Sequence, residues 1–123
     1  TQERNEKTMQ IIRTSGELNA VQIYNLVKNP ETRKMRDVKG QRIELSYWAH
    51  YMDANKADGE AMEILAIATP EGETFATNSP TFINDFNEMV DLFAEFNQTV
   101  GAVEIIGGVS KAGRDFITCK YAG

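Results

Sequence analysis

The single Trp and the single His of this 123-residue chain stand two positions apart, Trp48 and His50, with Arg42 shortly before them. All three lie in the stretch QRIELSYWAHY, residues 41–51. Ile43, Leu45, Tyr47, Ala49 and Tyr51 share one parity, and Arg42, Glu44, Ser46, Trp48, His50 and Met52 share the other. Successive side chains of a strand point to opposite faces, so the pattern predicts a half-buried strand with Trp48 and His50 toward solvent. A planar aromatic beside hydrogen-bond donors and a cation suits stacking on something flat and anionic. The alternative is a Trp that closes the end of a barrel or meets a second subunit.

Other chemistries have little to work with. One cysteine, Cys119, excludes an internal disulfide and a multi-Cys zinc site, and within FITCKY it reads as a small buried side chain. No Cys and His lie close in sequence, and there is no H-E-x-x-H and no phosphate-binding loop, which argues against an enzyme. Asp85, Glu88 and Asp91 have the spacing of a solvated helix face rather than of a metal site. No cofactor and no metal are expected. The cysteine usage fits a reducing cytoplasm. No apolar run approaches the ~20 residues of a membrane span, and TQERNEKT carries no apolar signal segment.

Net charge is -5, which argues against a generic basic nucleic-acid binder. The distribution says more. Lys28, Arg33, Lys34, Arg36, Lys39 and Arg42 face only Glu31 and Asp37 between positions 28 and 42. From Asp53 to Glu104 only Lys56 offsets a long series of acids, and the last residues add Lys111, Arg114 and Lys120 against Asp115. Two basic places on an acidic body would make a local cationic groove if the fold brings them together. Otherwise they are solvated turn residues.

These side chains need a frame. Residues 1–14 read as a mobile N-terminal arm, with TMQIIR a short strand or a docking segment, and residues 15–123 as one domain. Residues 17–28 read as a helix capped by Ser15 and ended by Pro30, followed by a basic loop. Strands follow over about 42–52, 61–69 and 73–77, the last two joined by the tight turn Pro70-Glu71-Gly72. Residues 81–96 read as a helix with Phe82, Phe86, Met89, Val90 and Phe93 in one apolar stripe, capped by Ser79 or Thr81. Strands over 102–109 and 114–121 close the chain, with a bulge or bend expected at Gly107-Gly108. Three strands, a helix and two strands is the order of a mainly β OB-fold, a five-stranded Greek-key barrel with its helix between the third and fourth strands. The helix at 17–28 is an N-terminal addition. An open α+β sheet is the competing architecture.

An OB-fold binds its ligand across strands two and three and between the loops joining strands one to two and four to five. Here those loops carry Lys56, and Lys111 with Arg114. Trp48, His50, Phe75 and Phe116 become candidate stacking surfaces, and Arg42, Lys56, Lys111, Arg114 and Lys120 candidate phosphate contacts, although several of the aromatics must serve the core. A base on an aromatic ring gains ~1–3 kcal/mol whatever its identity.

Several pieces, in order and approximate spacing between Ala20 and Lys120, resemble the small single-stranded DNA-binding proteins encoded by phages and conjugative plasmids of Gram-positive bacteria. They are AVQIYNLV, KMRDVKGQRIE from Lys34, DGE from Asp58, GETFATNSPTF from Gly72 and SKAGRDF from Ser110. The resemblance implies an OB-fold in a bacterial host's cytoplasm. It would coat single-stranded DNA without sequence preference during replication or conjugative transfer, with no catalysis and no membrane. RNA is a further possible partner, and self-association through the N-terminal arm would join neighbours by strand addition. The rival reading is a protein-binding or structural OB module whose acidic body meets a basic partner.

Overall fold

The computed structural model describes residues 9–54 and 61–123; Lys56 and residues 1–8 of the expected arm lie outside them. The described chain is mainly β, with eight strands in two sheets and two α-helices. The first sheet has the order β1-β4-β5-β6-β2, built from β1 (Met9–Thr14), β2 (Arg33–Lys34), β4 (Tyr47–Ala54), β5 (Ala61–Ala68) and β6 (Thr74–Thr77). The second has the order β3-β7-β8, from β3 (Arg42–Glu44), β7 (Ala102–Val109) and β8 (Asp115–Tyr121). Helix α1 (Ala20–Val27) precedes β2, and α2 (Pro80–Glu95) lies between β6 and β7. The described strands do not form one closed ladder as the expected barrel requires.

The strand expected over 42–52 is two strands, one in each sheet. Leu45 N donates to Gly101 O at 2.9 Å, and Ser46 N donates to Ala68 O at 2.8 Å. Adjacent residues thus hand the chain from one sheet to the other. The crossing also resets the alternation. Ile43 and Trp48 have opposite parity, yet both enter the main core. A shift of one residue moves every later side chain to the other face. The solvent face assigned to Trp48 and His50 is therefore corrected: they are 6% and 7% exposed.

Both faces of the first sheet are covered. On one side Trp48, Leu65, Ile67 and Phe75 pack with Phe82, Ile83 and Phe86 of α2 and with Val103, Ile105 and Ile117 of the second sheet. On the other, Ala49, Tyr51, Ala66 and Ala68 pack under Leu26 of α1. Ala49, Ala66 and Ala76 sit opposite one another across three strands. Their short side chains let the helix lie close to the sheet, where a fully buried Leu contributes about 1.5–3 kcal/mol. Helix α1 starts later than expected, because Asn19 caps it in a capping box with Gln22. Ser15 instead accepts a bond from Trp48 N and fixes the start of β4.

The second helix follows expectation. Ser79 caps it by accepting from Phe82 N, with Pro80 in the first turn, where the missing N–H costs nothing. Ser79 Oγ also donates to Ile117 O, tying the helix start to β8. The β5–β6 hairpin closes through Thr69 and Glu73, with Gly72 at φ 94°. No bulge forms at Gly107-Gly108; the β7–β8 register is unbroken from Val103 to Val109. The glycines make room instead. A Cβ on Gly108 would lie 2.6 Å from the Phe116 ring, and one on Gly107 would lie 2.7 Å from the Lys39 stem.

From Met9 onward the expected arm is an edge strand of the first sheet, paired antiparallel with β4. No helix among the described residues is long and apolar enough to cross a membrane.

Candidate functional site

The second sheet brings together three of the residues singled out from sequence. Arg42, Glu104 and Lys120 are register partners across β3, β7 and β8. Alternation along β8 puts Phe116 and Thr118 on the same face as Lys120. Phe116 is half-buried, its ring resting across the strand at Gly108. The cations here are compensated. Arg42 Nη1 lies 3.0 Å from Glu44 Oε2 and its Nε donates to Ala122 O, while Lys120 Nζ lies 3.8 Å from Glu104 Oε1. A phosphate there would have to displace carboxylates. Lys111 and Arg114 project from the exposed turn at the Phe116 end of the hairpin, where Gly113 at φ 83° closes the bend.

The remaining candidates are elsewhere. Trp48 meets Phe86 edge to face, and the Arg13 guanidinium stands 6.0 Å from its ring centroid. Its free face is spent on the core, so it is no open stacking platform. His50 is held between strand and helix. Asn87 Nδ2 is 3.4 Å from its Nδ1, and Nε2 is 3.0 Å from Glu63 Oε1, so both ring nitrogens are engaged within the fold. Phe75 is 3% exposed, with Arg33 over its ring at 5.4 Å, and the cavity beside it is lined by Glu44, Glu71 and Glu73. Arg42 lines it too, but the three carboxylates outnumber this cation. Phe75 is thereby moved from the stacking set to the core.

Of the basic cluster read between positions 28 and 42, Lys34, Arg36 and Lys39 gain a structural setting. The segment between β2 and β3, with its 3-10 turn Met35–Val38, runs from the edge of β6 to β7, where Gly40 N donates to Ile105 O and Ile105 N donates to Gln41 O. Met35 and Val38 are buried, while Lys34, Arg36 and Lys39 are exposed. Two cavities adjoin it. One, of about 240 Å³, is lined by Lys34, Arg36, Met62, Ile64 and Ala76; the other, of about 170 Å³, by Lys39, Asp115, Phe116 and Ile117. Arg36 and Asn78 border both. The signal was present in the sequence: apolar residues three apart, Met35 and Val38, with bases between and beside them.

Burial, and secondarily the Asp85 carboxylate, push the Cys119 thiol up to about 12, so at neutral pH it is protonated and inert. Among the described residues no three His, Cys, Asp or Glu side chains are placed to hold a metal ion.

The model of the family described as phage single-stranded DNA-binding protein matches residues 2–122. No curated protein and no solved structure matches the chain.

Proposed function

The chain belongs to the phage single-stranded DNA-binding protein family, and from this we propose that it coats and protects single strands during phage or plasmid replication or conjugative transfer, without sequence preference. The observation that carries the reading is the split between its cations. Arg13, Arg33, Arg42 and Lys120 are each tied to a carboxylate, whereas Lys111 and Arg114 on the β7–β8 turn have no carboxylate partner among the described residues. Beside them Phe116 offers a half-exposed ring. Phosphates on the turn and a base on Phe116 give the sequence-tolerant grip that such binding needs. The run of β3 with β4, then β5, β6, α2, β7 and β8, is read as an OB-fold order with β1, α1 and β2 added.

Self-association is proposed through β1. It is an edge strand with Ile11 and Ile12 40% and 48% exposed, and an open edge can accept a neighbour's strand. Gel filtration with and without residues 1–14 tests this; identical behaviour, with and without DNA, refutes it. Equilibrium binding to dT, dC and dA oligomers, their RNA counterparts and a duplex tests the main reading. Similar affinities for the DNA single strands and a much weaker duplex complex are expected. A strong preference for one base or for duplex contradicts it.

A further inference from the structure

We propose that the segment from Lys34 to Lys39 is a clamp for the single strand, forming the second wall of a cleft whose first wall is the β7–β8 hairpin. This rests on the single-stranded DNA reading above and gives the strand its path.

Three observations converge on it. The first is anchoring. Met35 and Val38, 0% and 2% exposed, are set into the main core. The parallel pairing with β6 at one end and the Gly40 and Gln41 bonds to Ile105 at the other fix the backbone. Bases mounted on such a segment are held in place more firmly than on a free loop, so less entropy is lost when they engage a ligand.

The second is charge. The same stretch is flanked by Arg33, 3.9 Å from Glu73, and Arg42, 3.0 Å from Glu44. Between them Lys34, Arg36 and Lys39 have no carboxylate within salt-bridge distance among the described residues. Among the described residues Asp115 is the one carboxylate lining either cavity, and Asp37 lies on the 3-10 turn itself. The three cations outnumber these two acids.

The third is shape. Arg36 and Asn78 line both cavities, and we read the pair as one cleft with a waist at these residues. Its floor is apolar, with Met62, Ile64 and Ala76 on one side of the waist and Ile117 on the other, and its rim is cationic. A duplex hides its bases, whereas a single strand presents apolar base faces and phosphates along the same edge. An apolar floor below a basic rim is complementary to the single strand. Arg36 at the waist is placed for the phosphate between two bases, one in each cavity.

The test compares the full-length chain with the variant K34Q/R36Q/K39Q by anisotropy of a labelled dT oligomer across a salt series. The expected result is at least about a tenfold loss of affinity at low salt, and a log–log salt slope shallower by about 2, since each phosphate contact on a single strand contributes ~0.7. Equal affinity and equal slope overturn the clamp while leaving single-strand binding intact. Failure of the unaltered chain to bind overturns both. Acetylation of the unaltered protein gives a readout independent of the variant's folding. Protection of Lys34 and Lys39 by dT, with Lys28 still modified, supports the clamp; equal modification with and without dT overturns it.

Discussion

Trp48 and Phe86 meet edge to face, with ring centroids 5.0 Å apart and planes at 86°. The contact joins β4 to α2 across the main core and decides what the only Trp can report. Replacing Trp48 with Ala should cost about 3–5 kcal/mol of stability, as for large aromatic truncations in cores. Urea melts of the two proteins check this. In the intact protein, Trp48 emission should be blue-shifted, resist acrylamide and stay unchanged when dT is added, because its stacking partner is already Phe86.

Gly108 is the site at which one methyl group tests Phe116. A Cβ there falls 2.6 Å from the ring, so G108A must displace it. If Phe116 carries a base, G108A and F116A should each weaken dT binding by about 1–3 kcal/mol. G107A instead crowds the Lys39 stem, so it reports on that cation rather than on Phe116. Calorimetric titration with dT separates the three.

Alkaline pH should destabilise the protein through two buried acids, Tyr51 and Cys119. Burial, with a smaller contribution from Asp53, raises the Tyr51 hydroxyl from 10.0 to about 12, and Cys119 rises from 9.0 to about 12. In the unfolded chain both groups lose their protons at the lower values, so rising pH favours unfolding. The stability they provide is complete below pH 9 and drains away between pH 9 and 12, at about 1.4 kcal/mol per unit of displaced pKa. Thermal melts across that range should show Tm falling, with C119A and Y51F each flattening part of the fall.

Local chemistry was legible where it sufficed. Ser79-Pro80 and the Phe82 and Phe86 spacing mark α2, and Pro70-Glu71-Gly72 marks the β5–β6 turn, because caps and turns are set by neighbouring residues. The faces of β3 and β4 were not. Their parity changes at Leu45-Ser46, where the bonds go to Gly101 and Ala68 in different sheets, and no local pattern encodes partners so distant in sequence. The same tertiary origin hides the role of Phe75, which alternates like a surface aromatic but is roofed by Arg33. Lys111, Arg114 and Phe116 were legible as exposed or half-exposed positions on a turn-bounded hairpin. Lys34, Arg36 and Lys39 were visible as charge but not as a wall, because the β6 and β7 contacts that fix them come from elsewhere in the chain.

The central claim is that an acidic chain grips single-stranded DNA through a few uncompensated cations and the half-exposed ring of Phe116. Anisotropy of a labelled dT oligomer, titrated with salt, tests it most directly. Binding at low salt that weakens steeply and log-linearly with added salt is the expected result, because phosphate contacts release counterions. No retention of any single strand at low salt would contradict the claim and turn the acidic surface toward a basic protein partner.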